Sequence, residues 1–568
     1  MRRRTTLAAK AAFSMGLDFG TNSARALLVN VRDGREIATA VAAYPSGTSG
    51  VLLDRKDPNL ARQHPSDYAV ALTRCVRAAL RTAAKTRGFE PERVVGVGVD
   101  TTASTPLPVD EHCVPLGCKP VFKNDLNACA WLWKDHTSHA EAEQITELAR
   151  RERPEYVAGC GGVYSSEWFW SKILHCTRVA TKVARAADSW LELCDYIPAL
   201  LTGCDEVSRA PRGVCAAGHK AMFRPGSGLP AADFLRRLHP GLGKLRARLY
   251  DHAHTSDQVA GELSSAWARK LGLPAGIPVA VGTIDAHAGA VGAGVRPGRL
   301  VKILGTSSCD MLVAPASAPV GEIPGLCGVV DGSILPGHYG IEAGQAAVGD
   351  IFNWFVTHFD GRRDAHERLT AEAQRLRPGV SGLVALDWNN GNRSVLADPR
   401  LTGLLVGQTL QTSRSEVYRA LLEATAFGAR VILERLELSG IRVREIVNCG
   451  GIAEKNPLLM QIYADVTGRP MKLARSAQTC ALGAAIFGSV TAGPRRGGHA
   501  SVERAQRAMC GLKSAVFKPS APARRVYDEL FAIYQRLHDA FGVSESSGPI
   551  NTIMKDLIRL RERTRASS

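Results

Sequence analysis

The sequence lacks several features that would assign it to a particular class of protein. It contains no run of about 18 uninterrupted apolar residues, so we do not expect a membrane-spanning helix. It also contains no C-x-x-C pair, which argues against a zinc ribbon or a thioredoxin-like redox motif. The 14 cysteines are scattered along the chain instead, as is typical of reduced thiols in a cytoplasmic protein.

Two further motifs, for phosphate chains and for nucleic acid, are also missing. No G-x-x-x-x-G-K-[ST] segment occurs, so the chain has no Walker A loop. The net charge is +17, but the excess is dispersed or lies at the two ends, without a basic run interleaved with aromatic residues. This distribution favours a soluble protein with a small anionic substrate over a nucleic-acid surface. We therefore expect neither nucleic acid nor a membrane as a partner.

What the sequence does contain is an α/β pattern on a chain long enough for two large domains. The 568 residues are 45% hydrophobic, which is a normal globular balance. Short apolar strands are predicted at 15–20 and 24–30, and the continuous apolar run 94–99 is typical of a buried parallel strand. Helical segments alternate with these strands, so we predict an α/β fold.

The chain divides near Pro297-Gly298, after which a second strand–turn–strand pattern begins. We predict an N-terminal domain at 15–294 and a C-terminal domain at 295–545. Residues 1–14 carry positive charge and no acid, and we predict a disordered extension there, with a targeting peptide or an over-long start as alternatives. Residues 546–568 are predicted to be a charged tail. The sequence leaves the oligomeric state open, with a homodimer as one option.

Each half opens on a Gly-Thr turn between two apolar strands, namely Gly20-Thr21-Asn22-Ser23 and Gly305-Thr306-Ser307-Ser308. Two such turns indicate an internal duplication. Their backbone N–H groups and hydroxyls form a concavity suited to phosphate oxygens. Asp18 precedes the first turn, and a carboxylate beside phosphates calls for Mg²⁺, bound through water. An ordinary hairpin with an aspartate at its mouth is the alternative.

A third turn joins a predicted strand to a helix through Gly450 and Gly451, followed by Asn456. Paired glycines allow a flat ligand to approach the backbone, and a helix N-terminus adds N–H groups. We predict an adenosine site at this turn; a tight strand–helix turn without a ligand is the alternative.

With these motifs in place, the chain resembles the FGGY family of carbohydrate kinases. The similar segments are DFGTNS (18–23), SSEWFWSKI (165–173), TIDAHAG (283–289), LGTSS (304–308), GLLVGQ (403–408) and NCGGIAEKNPL (448–458). The resemblance extends in order from Met15 to about Gly542, and it implies two actin/hexokinase-like (ribonuclease H-like) domains with an ATP cleft between them. Within the family, WKDHT (133–137), CDYIPALLTG (194–203) and HYGIEAGQAAVGDIFNWF (338–355) favour the branch that phosphorylates ribulose.

The resemblance also assigns roles to individual residues. Asp285 matches the family's catalytic base, and it would also contact the sugar. Ala103, Lys220 and Glu342 match sugar-binding positions. From the residues alone, Asp285 also fits a helix N-cap and Lys220 a solvated surface lysine. Asp100, at the end of the buried run, is the second candidate for proton acceptor.

The activity implied by the resemblance is transfer of the γ-phosphoryl group of ATP, with Mg²⁺, to O5 of L-ribulose. Other sugars or polyols of the family are the alternative substrates, and a non-catalytic sugar or nucleotide sensor is a further alternative. ATP would contact Gly20, Thr21, Asn22, Ser23, Gly305, Thr306, Ser307, Gly450, Gly451 and Asn456. The aromatic residues Trp168, Phe169, Trp170 and Trp354 are predicted to belong to the core rather than to stack on sugar.

Overall fold

The computed structural model describes residues 11–318 and 320–543. The predicted tail at 546–568 and residues 1–10 of the predicted extension lie outside this part of the chain. The first strand begins at Phe13, two residues earlier than predicted and inside the predicted extension. The cause is the Phe13 side chain, which is buried against Phe89 with the ring centroids 5.1 Å apart.

Strands and helices alternate through the first half. The strands are β1 (Phe13–Phe19), β2 (Ser23–Asn30), β3 (Glu36–Ala43), β4 (Leu52–Leu53), β5 (Ala61–Gln63), β6 (Val94–Thr101), β7 (Leu107–Val109), β8 (Ala130–Trp131), β9 (Ser189–Leu191), β10 (Val259–Glu262), β11 (Pro278–Ala280) and β12 (Thr283–Ile284). The helices are α1 (Pro65–Ala83), α2 (His139–Glu152), α3 (Pro154–Ala158), α4 (Phe169–Val179), α5 (Thr181–Ala186), α6 (Leu193–Thr202), α7 (Val214–Lys220), α8 (Ala232–Leu238), α9 (Pro240–Arg246), α10 (Ser265–Leu271) and α11 (Asp285–Gly292).

The second half continues the alternation. Its strands are β13 (Arg299–Leu304), β14 (Ser308–Pro315), β15 (Gly328–Asp331), β16 (His338–Ala343), β17 (Val384–Leu386), β18 (Leu404–Val406), β19 (Glu445–Cys449), β20 (Met471–Ala474) and β21 (Leu512–Phe517). Its helices are α12 (Gly349–Phe359), α13 (Ala365–Arg375), α14 (Arg414–Leu438), α15 (Gly451–Lys455), α16 (Pro457–Thr467), α17 (Thr479–Ala492), α18 (Val502–Met509) and α19 (Ala521–Gly542). Within the described residues, no helix is both long and apolar enough to cross a membrane.

The two halves contain sheets with the same six-stranded core. In the first, the order of the core strands is β3-β2-β1-β6-β11-β10, and β12 also pairs with β6; in the second it is β16-β14-β13-β19-β20-β21, and β15 extends the sheet beyond β16. On one side of the first strand, β1 or β13, lie two strands that are each antiparallel to their neighbour, namely β2 and β3 or β14 and β16. On the other side lie two parallel strands, β6 and β11 or β19 and β20, followed by an antiparallel strand, β10 or β21. This is the ribonuclease H-like arrangement. It confirms the predicted α/β class and supports the predicted duplication.

Two helices of small residues, α11 and α17, lie between the sheets, and each contacts both halves. A side chain on Gly98 of β6 would place its Cβ 1.8 Å from the carbonyl oxygen of Ala484 in α17. A Cβ on Gly483 would lie 1.8 Å from the carbonyl oxygen of Ala288 in α11. Glycine is required at both positions because the backbones approach so closely. The small-residue pattern of these segments therefore serves to bring the two halves together.

The aromatic predictions have different outcomes. Trp168, Phe169 and Trp170 are buried in the core of the first half, as predicted. The prediction for Trp354 is wrong, because this side chain is 39% exposed on α12. Its neighbours Phe352 and Phe355 form the buried face of that helix instead. An apolar residue in an amphipathic helix cannot be assigned to the buried face from its type alone.

Candidate active site

Three aspartates lie together where strands of the first sheet end. Asp18 is near the end of β1 and pairs in register with Asp100 near the end of β6. Thr283 of β12 also pairs with Asp100, and Asp285 follows two residues later as the first residue of α11. Because parallel strands end at the same edge, three carboxyl groups distant in sequence meet there.

The electrostatics of the three carboxyl groups differ. Burial, followed by the negative charge of Asp18, raises the pKa of Asp285 to about 7. Burial also raises the pKa of Asp18, although Arg25 at 2.8 Å opposes this. The pKa of Asp100 is raised most strongly, by burial and then by the charges of Asp18 and Asp285. A raised pKa near neutrality suits a group that accepts a proton during a reaction.

Asp100 is 0% exposed, and neither of its carboxyl oxygens has a hydrogen-bond partner among residues 11–318 and 320–543. The sequence identified it only as a reserve proton acceptor. A buried carboxyl group without a partner is costly, so a bound cation or a proton is needed to stabilise it.

Asp285 is not the N-cap of α11, because that position belongs to Ile284. The Asp285 carboxylate instead accepts a hydrogen bond from the backbone N–H of Ala286 at 2.6 Å. The interpretation of Asp285 as the N-cap of this helix is therefore wrong. Among the hydrogen bonds of the described residues, only Oδ1 of its carboxylate is an acceptor.

The first Gly-Thr turn is held by side chains of the first half. The Gly20 N–H donates to the carbonyl of Ser23 at 3.0 Å. The Thr21 hydroxyl accepts a hydrogen bond from the indole N–H of Trp133 at 3.0 Å. The Asn22 amide donates to the carbonyl of Ser49 at 2.6 Å. The conformation of this turn is therefore fixed by hydrogen bonds within the protein and does not depend on a ligand.

The second Gly-Thr turn is held by backbone groups. The Gly305 N–H donates to the carbonyl of Ser307 at 2.9 Å. The carbonyls of Gly305 and Thr306 accept from the N–H groups of Gly349 and Val348, at the start of α12. The Thr306 side chain is exposed, and its hydroxyl makes no hydrogen bond within the described chain. Unlike Thr21, it is available to a ligand.

The third turn adjoins the second. Gly450 has a φ of +97°, and a Cβ there would lie 2.3 Å from the carbonyl oxygen of Leu304, the residue before the second turn. Gly451 begins α15 and has open space where a side chain would be. The side chain of Asn456 caps α16 by accepting from the N–H of Leu459 at 3.0 Å. The segment is thus a tight strand–helix turn with one open side, and its adenosine role stays a prediction.

Two of the predicted sugar-binding positions form a buried ion pair across the two halves. Lys220, at the end of α7, places its Nζ 3.2 Å from each carboxylate oxygen of Glu342 in β16. The interpretation of Lys220 as a solvated surface lysine is therefore wrong. Although burial opposes it, the positive charge of Lys220 keeps the pKa of Glu342 well below its usual range.

Two histidines, missed by the sequence reasoning, complete this cluster. His219 Nδ1 lies 3.5 Å and His287 Nε2 3.6 Å from Glu342 Oε2. Burial lowers the pKa of His287 to about 4 and that of His219 well below its usual value, so both rings are neutral at pH 7. His287 lies on the first turn of α11, so it connects the Lys220–Glu342 pair to Asp285. In the sequence, the one feature that could have pointed to these histidines is their position, since His219 precedes Lys220 and His287 lies two residues after Asp285.

Ala103 is half-buried beside this cluster, packed on an apolar group that includes Ile284, the residue before Asp285. Its segment is held by Lys172, whose buried Nζ donates to the carbonyl of Ser104 at 2.7 Å and of Leu132 at 2.9 Å. Burial lowers the pKa of Lys172 to about 7. The structure thus brings Ala103, Lys220, Glu342 and Asp285 into one region.

Comparison with known proteins defines the class to which this fold and site belong. The N-terminal domain of the FGGY family of carbohydrate kinases matches residues 13–292, and the C-terminal domain of that family matches residues 300–492. The chain belongs to the FGGY family of carbohydrate kinases.

Particular relatives share nearly the whole chain. A ribulokinase from Halalkalibacterium halodurans is 42% identical over 565 residues, covering 97% of each chain. A ribulokinase from Mycolicibacterium smegmatis is 40% identical, covering 93% of this chain and 94% of its own. The fold is that of the crystal structure of xylulose kinase from Rhodospirillum rubrum, with a TM-score of 0.76 and 23% identity over 93% of this chain and 99% of that one. The two-domain fold predicted from the resemblance is thereby confirmed.

Proposed function

We propose that this protein transfers the γ-phosphoryl group of ATP to O5 of L-ribulose, forming ribulose 5-phosphate. The observation that carries this proposal is the buried Lys220–Glu342 pair, which His287 connects to the helix that begins at Asp285. A charged donor and a charged acceptor in one pocket match the hydroxyl and carbonyl groups of a ketopentose. The names of the ribulokinase relatives support the same sugar.

The sugar would bind between the two halves. Lys220 belongs to the first half and Glu342 to the second, so a sugar held by both residues stabilises the closed arrangement of the domains. Closure excludes water, which would otherwise compete with the sugar as phosphoryl acceptor. The sugar would therefore contact both domains, because Ala103, Lys220 and Asp285 lie before the division of the chain and Glu342 lies after it.

Asp285 would act as the proton acceptor. As O5 forms its bond to the γ-phosphorus, the bond from that phosphorus to the bridging oxygen of ADP breaks, and the O5 proton passes to the carboxylate. Most of the rate enhancement in phosphoryl transfer comes from alignment and charge stabilisation, with the base contributing in addition. The raised pKa of Asp285 suits the task of taking a proton at neutral pH.

The carboxyl cluster fits Mg²⁺. Asp100 has two buried oxygens without partners, and Asp18 lies beside it at the mouth of the first turn. Hard oxygen donors of this kind are the ligands that Mg²⁺ prefers. Asp18 would hold the ion through water, with Asp100 behind it; when bound, the ion neutralises the phosphate charge and aligns the transferred group. Arg25, paired with Asp18, keeps that carboxylate oriented.

The nucleotide would lie between the two Gly-Thr turns. The N–H groups of Thr21 and Asn22 on one side, and of Thr306 and Ser307 on the other, would bind phosphate oxygens, with Gly20 and Ser23 completing the first turn. Gly450 and Gly451, with Asn456, would border the adenosine. In this arrangement residues 295–545 contribute most of the nucleotide contacts. We further propose that the protein is located in the cytoplasm, where its substrates ATP and ribulose would be available.

Initial rates with a panel of acceptors at fixed Mg·ATP test the proposal. L-ribulose should give the highest kcat/KM, above D-ribulose, D-xylulose, ribitol and glycerol, and NMR of the product should show the phosphate on O5. A preference for xylulose or a polyol would move the enzyme to another branch of the family. Absence of turnover with every acceptor would favour a sensor. The Asp285→Asn protein, purified in the same way, serves as the control that measures the activity of any contaminating kinase.

A further inference from the structure

The side chains of His219, His287 and Glu342 have the separations of a metal-ion site. Both histidine nitrogens lie 3.5–3.6 Å from the same carboxylate oxygen, and the three ligand atoms all lie within 4.8 Å of one another. A tetrahedral Zn²⁺ with bonds of about 2.0–2.2 Å holds its ligands about 3.3–3.6 Å apart. Both distances from a histidine nitrogen to the carboxylate oxygen therefore fit such an ion before it binds.

The histidine nitrogens that face the carboxylate have no other partner. In the part of the chain that the structure describes, neither ring nitrogen of His287 is hydrogen-bonded, and Nδ1 of His219 is not either. The two residues are only 1% and 2% exposed, so bulk solvent does not reach these atoms. A buried polar atom without a protein partner calls for a bound water or ion, and an imidazole nitrogen beside a carboxylate is suited to a metal ion.

The hydrogen bonds of Ser333 determine which nitrogen of His219 carries the proton. The Ser333 hydroxyl donates its proton to the carbonyl of Val330 at 3.1 Å, so it accepts from His219 Nε2 at 3.0 Å. The Nδ1 lone pair of His219 then faces the Glu342 carboxylate, and two negative regions oppose each other unless a cation lies near both of them. Without a metal ion that cation is the ammonium group of Lys220, whose Nζ lies 3.2 Å from each carboxylate oxygen. A ring whose second nitrogen is anchored in this way is typical of metal-ligating histidine.

We propose that His219, His287 and Glu342 form a binding site for a divalent transition-metal ion of the Zn²⁺ type. Two imidazoles and one carboxylate favour such an ion over Mg²⁺, so this site differs in chemistry from the carboxyl cluster at Asp18 and Asp100. Lys220 already pairs with Glu342, and the ion must compete with its ammonium group. Occupation of the site therefore displaces Lys220 and blocks the sugar; this last consequence rests on the proposed function.

Binding is measured on the metal-free full chain without sugar or nucleotide, using Co²⁺ as the probe and Zn²⁺ as the competitor. We expect one Co²⁺ per chain, with the visible absorption bands of a tetrahedral site, displaced by one equivalent of Zn²⁺. His287→Gln and His219→Gln should each weaken the affinity at least 30-fold. His358→Gln, which changes an exposed histidine on α12, should leave it unchanged. Absence of the tetrahedral spectrum, or equal affinity in all variants, overturns the proposal.

A second variant tests the site in the opposite direction and does not depend on the histidine variants folding. Lys220→Met removes the competing cation, so it should tighten Co²⁺ binding about tenfold; weaker or unchanged binding overturns the proposal. In kinetics, Zn²⁺ should raise the KM for ribulose and leave the KM for ATP unchanged. A chain that binds Co²⁺ as expected but does not phosphorylate ribulose would contradict the proposed function and leave the metal site standing.

Discussion

The two sheets of this protein share the order of six core strands, but they carry different chemistry at equivalent positions. In the first sheet Asp18 pairs in register with Asp100 on one side and Arg25 on the other. In the second sheet the equivalent position is Ile303, between Cys449 and Cys309. One copy of the duplicated scaffold thus has two carboxylates and a guanidinium where the other has an isoleucine and two thiols.

This difference shows how a duplicated fold can divide the work of one reaction. Carboxylates beside both turns would repel a triphosphate from two sides. With the acids confined to the first sheet, the second turn offers N–H groups and a hydroxyl to the nucleotide without a competing negative charge. The backbone provides two phosphate concavities, and the side chains decide which of them is suited to a metal ion.

The largest effect is expected where the first half has its proton acceptor. Asp285→Asn should lower kcat about 10²- to 10⁴-fold, because the amide cannot accept the O5 proton. The side-chain oxygen of asparagine can still accept from the Ala286 N–H, so folding should be retained. Steady-state kinetics, with calorimetric titration of both substrates, checks this. A folded variant with most of its kcat would exclude Asp285 as the base and direct attention to Asp100.

The second prediction concerns the equivalent positions of the two sheets. Asp18→Asn should lower kcat/KM for Mg·ATP about 100-fold and raise the Mg²⁺ concentration needed for half-maximal rate, because a charged acceptor is lost. Ile303→Val is the matched control, and it should cost only about 0.5–1.5 kcal/mol of stability. If Ile303→Val changed the Mg²⁺ requirement as much as Asp18→Asn does, the difference between the two sheets at these positions would have no role in metal binding.

The third prediction compares two buried ion pairs. Glu342→Gln should raise the KM for ribulose about 10- to 100-fold and leave the KM for ATP nearly unchanged, because a hydrogen bond to a charged group contributes about 1.5–3 kcal/mol. Asp310→Asn breaks the buried pair with Lys302 in the second sheet and provides the control. Both variants should lower Tm, but the control should keep its KM for ribulose. If both variants raised the KM for ribulose equally, Glu342 would have only a structural role.

The fourth prediction is a pH dependence. Because Asp285 must be ionised to accept a proton and its pKa is about 7, kcat/KM should fall as the pH is lowered through 7. The ionised fraction falls about fivefold between pH 7 and pH 6. Rates at low concentrations of both substrates report the free enzyme. The residual rate of Asp285→Asn should not show this decrease; a flat profile in the parent enzyme would contradict the assignment.

The smallest effect distinguishes the two threonines. Thr306→Val should raise the KM for ATP about threefold without lowering Tm, because its exposed hydroxyl is free to bind phosphate. Thr21→Val should lower Tm as well, because the indole N–H of Trp133 loses its acceptor. Thermal melting and ATP kinetics on both variants separate these outcomes. An unchanged KM in Thr306→Val would show that only the backbone of the second turn binds phosphate.

The strand–turn–strand units were predictable from the sequence because they depend on neighbours in the chain. Alternation and apolar runs placed the start of β6 at its observed residue, that of β2 within one residue and that of β1 within two. Asp18 and the two Gly-Thr turns were identified because a carboxylate and a glycine at a strand end are local features.

The composition of the site depends instead on which distant segments the fold brings together. Lys220 and Glu342 are 122 residues apart, and only the docking of α7 against the second sheet makes them an ion pair. Asp100 belongs to the carboxyl cluster because β6 lies parallel to β1. His219 and His287, which both precede the division of the chain, meet Glu342, which follows it. Local periodicity contains information about burial and turns, because these follow from a few adjacent residues. The partner of a buried charge is decided by packing between elements, since only the folded chain excludes the water that would otherwise solvate it.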